Sequence, residues 1–201
     1  MSAYVIGDIN VTDPETFAKY ASLVPASSGA FGCKYLVRGP DKCEPVEGDW
    51  NPKRFVLAEY KDVDTIKAWY YSEEYKELTK LRQSASTGSL LVANGVELSE
   101  LGRDAGQPGY LVADIEVTDP DIYTEYAAGV PDTVAAYGGR YLIRGAQGEV
   151  LEGSWTPKRL VVLEFESLER VKEWYNSPEY ADLKKLRHSA SKGNAIFAEG
   201  G

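Results

Sequence analysis

A carboxylate, an arginine and a tyrosine recur on neighbouring predicted strands, and these side chains have the greatest capacity for chemistry in the sequence. In the predicted strand YVIGDINV, the alternation of side chains places Tyr4 and Asp8 on one face. The same reasoning directs Arg38 and Glu59 toward that face from the next two strands. A carboxylate can act as a general base, and an arginine can hold an anion or stabilise an enolate. The pattern therefore predicts a half-apolar ligand pocket.

The second half of the chain repeats this arrangement, with Tyr110, Asp114, Arg144 and Glu164 at the matching positions. The candidate catalytic residues are Asp8, Asp114, Glu59 and Glu164. The candidate substrate-binding residues are Tyr4, Arg38, Trp50, Tyr110, Arg144 and Trp155.

The same residues also have purely structural interpretations. Asp8 and Arg38 could form a salt bridge that lines the sheet without a ligand, since an isolated buried charge costs several kcal/mol. Trp50 and Trp155 lie in predicted loops, where they could cover the pocket or fill the space beneath the loop. His188 is interpreted as a surface helix position.

The matching positions arise because the chain contains two copies of one domain. The stretch WYYSEEY, which begins at Trp69, returns as WYNSPEY from Trp174. Self-similarity over this length is typical of a duplicated domain, because each copy is large enough to fold as a unit. We expect a first repeat at 1–94, a polar, glycine-rich linker at 95–108 and a second repeat at 109–201.

Each copy predicts the element order βαββαβ. Asp13 is a good N-cap and precedes a proline at the first helical position, and Pro25 is expected to end this first helix. Its counterpart Pro131 is expected to end the matching helix. The second helical region is interrupted at Ser72, which is an N-cap candidate for the segment that follows, as is Ser177 in the second copy.

This order predicts an α+β fold of two ferredoxin-like repeats. Each repeat would form a four-stranded antiparallel sheet with both helices on one face. The other face is partly apolar and needs a cover, which the second copy could provide. We therefore expect the repeats to pack sheet to sheet as an intrachain pseudo-dimeric α+β barrel around a chamber.

Composition argues against several partners. The formal net charge of -9 repels a nucleic-acid backbone, and no apolar run approaches the length of a membrane span. One histidine and two cysteines, Cys33 and Cys43, cannot supply a closed zinc site. We expect a cytoplasmic protein with reduced thiols, no metal, no cofactor, no nucleic-acid or membrane partner, and the possibility of further homo-oligomers.

Several short motifs together resemble the domain-of-unknown-function family 1330, in the dimeric α+β barrel superfamily. They are VTDP (from Val11 and Val117), YLVRG or YLIRG, EGDWNPKR or EGSWTPKR, WYxSxEY, and LRxSAS. The resemblance covers nearly all of both copies and implies two ferredoxin-like units that enclose a central chamber. The superfamily includes cofactor-free oxygenases, isomerases and cyclases, haem enzymes, and proteins without known catalysis, so it implies a fold rather than a reaction.

Two functions fit these observations. One is a small-molecule-binding barrel acting as a cofactor-free lyase, isomerase, cyclase or oxygenase on an anionic or carbonyl-containing metabolite. The other is a non-catalytic ligand carrier or assembly module with a filled barrel. A chamber larger than roughly 300 Å³ would favour the first function, and a packed interior with a closed Asp8–Arg38 pair would favour the second.

Overall fold

The computed structural model describes residues 1–97 and 106–201. Residues 98–105, which belong to the predicted linker, lie outside the described part of the chain. The described elements of the first half are β1 (Ala3–Val11), α1 (Pro14–Gly29), β2 (Lys34–Pro40), β3 (Cys43–Glu47), β4 (Arg54–Tyr60), α2 (Val63–Tyr70), α3 (Glu73–Ala85) and β5 (Ser86–Asn94). Those of the second half are β6 (Gly109–Val117), α4 (Pro120–Ala136), β7 (Arg140–Ala146), β8 (Glu149–Glu152), β9 (Leu160–Phe165), α5 (Leu168–Tyr175), α6 (Pro178–Ala190) and β10 (Ser191–Glu199).

The elements form two compact units, each with one five-stranded antiparallel sheet. In the first unit the strand order is β2-β4-β1-β5-β8, and in the second unit it is β3-β10-β6-β9-β7. Each sheet thus contains the four strands predicted for its repeat plus a fifth strand from the other repeat. The predicted α+β class and the tandem ferredoxin-like pattern are confirmed.

The fifth strands were not predicted, because β3 (CEPVE) and β8 (EVLE) are short and polar and read as loops. They become strands only because an edge strand of the other repeat offers unpaired backbone groups. β8 pairs with β5, and β3 pairs with β10. The compact units therefore differ from the sequence repeats by one exchanged segment each, 43–51 and 148–156.

The helix starts follow the predicted capping chemistry. The Asp13 carboxylate accepts hydrogen bonds from the backbone N–H groups of Glu15 and Thr16, which satisfies donors that have no partner inside α1. The hydroxyl of Ser72 accepts from the backbone of Tyr75 and separates α2 from α3, as predicted. Ser177 caps α6 in the same way.

The helix ends predicted at the two prolines are wrong. Helix α1 continues past Pro25 to Gly29, and α4 continues past Pro131 to Ala136. A proline inside a helix leaves the carbonyl four residues earlier without its N–H donor. In α1 that carbonyl is Ala21 O, and the guanidinium of Arg38 donates to it at 2.5 Å. The arginine replaces the missing donor, so the helix can pass through the proline.

A core lies between the helices and one face of each sheet. In the first unit it contains Val5 and Ile9 of β1, Phe17 and Tyr20 of α1, and Trp69 of α2. The matching core of the second unit includes Leu111, Ile115, Tyr123, Val130 and Trp174. The alternation of apolar residues in the strands and their helical spacing in the helices predicted a core on this side of each sheet. The cavities of both units also lie on this side.

Candidate functional site

The first unit contains a cavity of about 50 Å³ between its sheet and its helices, on the face covered by α1, α2 and α3. Its walls are apolar and aromatic, with three arginines among them. The lining residues are Val5, Ile9, Phe17, Tyr20, Ala21, Val24, Tyr35, Arg38, Arg54, Val56, Ala58, Tyr60, Trp69, Tyr75, Arg82 and Leu90. An apolar cavity with a few convergent polar groups is typical of a small-molecule site. We therefore take it as the candidate site.

Arg38 belongs to this cavity and not to the face predicted for it. The pairing of β2 with β4 shifts between Tyr35 and Val37, so a β-bulge interrupts the alternation. Tyr35 and Arg38 consequently share the helix-covered face, where the guanidinium lies 4.8 Å from the Tyr35 ring centroid. Asp8 alternates with Val5 and Ile9 of the helix-side core and therefore lies on the opposite face. The predicted Asp8–Arg38 salt bridge is wrong.

Arg54 is the second cation of the cavity. Its guanidinium lies 4.9 Å from the ring centroid of Phe17, and within the described residues it makes no hydrogen bond and no ion pair. Burial lowers the pKa of Arg54, and the nearby charge of Arg38 lowers it further, which Tyr20 partly offsets. Both effects disfavour the positive charge, so an anion beside Arg54 would relieve them. No Asp or Glu is among the described residues that line the cavity.

The third arginine, Arg82, is neutralised by the exchanged strand β8. Its two terminal nitrogens donate to the two carboxylate oxygens of Glu152 at 2.9 and 2.7 Å, a bidentate pair in which Arg82 is 3% exposed. Tyr70 and Gln83 donate to the same carboxylate at 3.1 and 3.0 Å. Burial raises the pKa of Glu152, but the hydrogen bonds and charge of Arg82 outweigh it, and the net pKa is lowered.

Phenol hydroxyls supply further hydrogen-bonding groups to the cavity. Tyr20 and Tyr75 place their hydroxyls 3.3 Å apart. Burial raises the pKa of Tyr20 well above its ordinary value, and the proximity of Tyr75 adds to this, so Tyr20 stays protonated. Tyr35 shares a hydrogen bond of 3.1 Å with Ser28. The helical spacing of Tyr75 in the sequence indicates a core position and carries no separate signal for the cavity.

The equivalent cavity of the second unit is smaller, about 30 Å³, and carries a compensated charge. Glu47, on the exchanged strand β3, lines it and accepts from Arg187 at 2.8 and 2.5 Å. Neither Arg144 nor Arg159, the counterparts of Arg38 and Arg54, is among its lining residues. Both arginines still approach rings that line this cavity, Arg144 at 4.9 Å from the Tyr141 centroid and Arg159 at 5.5 Å from the Tyr123 centroid, so the clearest difference between the two linings is the carboxylate of Glu47.

Strand β7 has a local irregularity at Gly145 that positions Arg144 and Arg159. Strand β7 has a second register shift between Arg144 and Ala146, and Gly145 adopts a φ of 75° that favours glycine. A Cβ at Gly145 would lie 2.4 Å from the guanidinium carbon of Arg159, so this arginine packs against the glycine backbone. Arg144 is exposed, and its terminal nitrogen lies 3.4 Å from Ala127 O.

In each unit, a predicted tyrosine and a predicted glutamate pair on the sheet face away from the helices. The hydroxyl of Tyr4 donates to Glu59 at 3.3 Å, and that of Tyr110 donates to Glu164 at 3.0 Å. Arg140 also donates to Glu164, its Nε at 2.8 Å. Tyr4 and Tyr110 are fully buried. These contacts join each predicted tyrosine to its predicted carboxylate, and the catalytic roles stay predictions.

Asp114 performs a backbone-capping function. Its Oδ1 accepts from the backbone N–H groups of Lys158 and Arg159 at 2.8 and 3.1 Å, where the chain enters β9. Neither Asp114 nor Asp8 is among the residues that line the two cavities. The proposed action of these aspartates as general bases therefore has no support from the cavity geometry.

The two loop tryptophans anchor the exchanged segments. The backbone N–H of Trp50 donates to the Asn194 side chain at 3.2 Å, and that of Trp155 donates to the Ser89 hydroxyl at 3.2 Å. Both side chains are half-buried, and neither is among the residues that line a cavity. From the sequence, these tryptophans could cover the pocket or fill the space beneath their loops. Their role in substrate binding stays a prediction.

The described residues contain no group of three or more His, Cys, Asp or Glu side chains arranged to hold a metal ion. Among the described helices, none combines the length and the apolar character that crossing a bilayer requires. Cys33 and Cys43 are half-buried and are not joined in a disulfide.

The sequence of both repeats matches one family model, that of a domain of unknown function named DUF1330, over residues 2–96 and 108–201. The chain belongs to this family. Among curated proteins, no sequence matches it. The membership explains the duplication as two copies of one DUF1330 domain, and it assigns no reaction.

Solved structures share the fold of this DUF1330 protein at low sequence identity. A mutant chlorite dismutase from Candidatus Nitrospira defluvii aligns over 100% of this chain and 91% of its own, with a TM-score of 0.55 and 10% identity. A candidate monooxygenase from Lactobacillus acidophilus NCFM aligns over 100% and 93%, with a TM-score of 0.52 and 11% identity. An anthrone oxidase-like protein aligns over 98% and 91%, with a TM-score of 0.51 and 12% identity. These similarities establish the fold alone, the α+β arrangement described above.

Proposed function

We propose that the protein binds a small organic anion in the cavity of the first unit, with Arg38 and Arg54 holding the anionic group. The observation that carries this proposal is the pair of cations in a cavity whose described lining contains no carboxylate. A half-buried charge without a counter-ion is unfavourable, and a bound anion supplies the missing partner. Arg38 is held in place by its bond to Ala21 O, while Arg54 is available to the ligand.

The ligand is small and has an apolar body. The cavity volume of about 50 Å³ is below the roughly 300 Å³ of sites for drug-sized molecules, which favours a single ring or a short chain. Phe17, Tyr20 and Trp69 supply aromatic walls against which such a body can pack.

Binding without chemistry is favoured over the carboxylate-base mechanism. A general base must lie within hydrogen-bond reach of the proton that it removes. The cavity lining offers phenols and arginines, and the carboxylate of Glu152, which bonds the lining residue Arg82, is engaged by that arginine. A ligand carrier that recognises an anionic metabolite fits these residues.

The test is a calorimetric titration of the wild type and the Arg54→Gln variant with benzoate as the probe anion. Removal of one of two cations near the ligand should weaken binding about tenfold, because a unit charge a few ångströms from an anion at an effective dielectric of about 20 is worth more than 1 kcal/mol. Arg159→Gln is the matched control, and it should leave the affinity unchanged.

The proposal is wrong if Arg54→Gln and Arg159→Gln bind benzoate equally well. It is also wrong if the wild type binds benzoate no better than an uncharged analogue such as benzamide.

A further inference from the structure

The cavity of the first unit has two chemically different ends. Arg38 lies on β2 and Arg54 on β4, which are neighbours at one edge of the sheet, whereas Glu152 lies on β8 at the other edge. Between the cationic end and Arg82 lie the rings of Phe17 and Tyr20, with centroids 5.4 Å apart. The guanidinium of Arg82 lies 6.0 Å from the Tyr20 ring centroid. One end of the cavity thus carries two positive charges, and the other end carries a neutralised ion pair.

The neutral end contains a buried donor without a partner. Arg82 is 3% exposed, and its Nε has no hydrogen-bond partner within the described residues. In the second unit the equivalent nitrogen, Arg187 Nε, donates to the Tyr180 hydroxyl at 3.2 Å. Both units pair the two phenols, Tyr75 with Tyr20 at 3.3 Å and Tyr180 with Tyr126 at 3.5 Å, but the Tyr75 hydroxyl accepts no bond from Arg82 Nε. A buried donor left unpaired is costly, so an acceptor at this point would be stabilised.

We propose that the ligand is an organic monoanion with an uncharged oxygen acceptor at its far end, and that Glu152 excludes ligands charged at both ends. This inference rests on the proposed function, since it assigns the anionic group to Arg38 and Arg54. The acceptor, a carbonyl or hydroxyl oxygen, takes the hydrogen of Arg82 Nε. Glu152 neutralises Arg82, so a second carboxylate at that end gains no net attraction and meets a negative charge.

The position of Glu152 gives the second repeat a role in the specificity of the first. Strand β8 belongs to the second repeat in sequence and pairs with β5 in the first unit. The side chain that sets the charge at the far end of the cavity is therefore supplied by the exchanged strand. Glu152 acts through Arg82 and is a specificity-determining residue that does not itself line the cavity.

The test compares three probe acids with one ring and one shared carboxylate: benzoate, para-hydroxybenzoate and terephthalate. In the wild type, para-hydroxybenzoate should bind about fivefold or more tightly than benzoate, because its hydroxyl oxygen reaches the unpaired donor. Terephthalate should bind more weakly than para-hydroxybenzoate. In Glu152→Gln the affinity of terephthalate relative to para-hydroxybenzoate should rise about tenfold, which is the effect of one unit charge at a separation on the order of 10 Å.

Glu47→Gln is the matched control, because it breaks the equivalent ion pair of the second unit and should leave these ratios unchanged. If Glu152→Gln does not fold, the double variant Arg82→Met with Glu152→Gln removes both charges and the donor. In that variant para-hydroxybenzoate should lose its advantage over benzoate.

The outcomes separate the two proposals. Suppose that benzoate binding depends on Arg54, but the relative affinities of the three probes are the same in the wild type and in either Glu152 variant. This result overturns the inference and leaves the proposed function standing. If benzoate does not bind, or binds independently of Arg54, both the proposed function and this inference are overturned.

Discussion

The ion pair between Glu47 and Arg187 should be the largest single electrostatic contribution of the exchanged strand β3 to stability. The side chains are 14% and 7% exposed, so solvent screens them little. Burial raises the pKa of Glu47, but the hydrogen bonds and charge of Arg187, with bonds from Tyr175 and His188, lower it from 4.5 to about 2. A carboxylate stabilised to this extent contributes about 3 kcal/mol to the free energy of unfolding at neutral pH.

The contribution has a defined pH dependence. Because the folded-state pKa of Glu47 lies below its unfolded value, the stabilisation is complete above about pH 5 and is lost as the pH falls toward 2. Glu47→Gln should therefore lower the free energy of unfolding by about 3 kcal/mol at pH 7. Near pH 3.5 the difference between variant and wild type should be smaller by roughly 1 kcal/mol.

Urea-induced unfolding followed by circular dichroism at several pH values measures both quantities. Glu44→Gln is the matched control on the same strand: Glu44 pairs with Lys172, but its side chain is 58% exposed, and such surface pairs contribute roughly 0–1 kcal/mol. The reasoning is refuted if Glu47→Gln costs no more than Glu44→Gln, or if its effect is the same at pH 7 and pH 3.5.

Two further substitutions test the roles of Arg38 and Asp114. Arg38→Met should cost about 1 kcal/mol of unfolding free energy, because it leaves Ala21 O unpaired. Pro25→Ala in the same chain should recover most of this loss by restoring the helical N–H. A double-mutant cycle without coupling would contradict this role of Arg38. Asp114→Ala should lower the free energy of unfolding, measured by heat or urea, by about 1–2 kcal/mol. Asp114→Asn keeps the Oδ1 acceptor and should lower it much less. Equal losses in the two variants would contradict the capping role.

Local patterns predicted the repeat, the helix caps and the sheet faces of β1 and β4, because each depends on residues close in sequence. The bulge in β2 was not predictable from alternation, and it moved Arg38 to the other face. The continuation of α1 through Pro25 depended on that same displaced arginine. A backbone irregularity in one strand thus changed two predictions.

The exchanged strands were missed for a different reason. Their pairing depends on an edge strand far away in sequence, and β8 contributes Glu152 to a site in the first unit. One signal was present: an arginine, Arg82 or Arg187, recurs inside an otherwise apolar helical stripe of each copy. A buried arginine requires a carboxylate partner, so its position indicated that a glutamate had to reach it.

Native mass spectrometry of the protein, purified without added ligands, tests the anion-binding function most directly. We expect one small organic anion per chain in the wild type and in Arg159→Gln, with its occupancy strongly reduced in Arg54→Gln. A bound molecule that is uncharged, or one retained equally by Arg54→Gln, would contradict the assignment of the site to an anion.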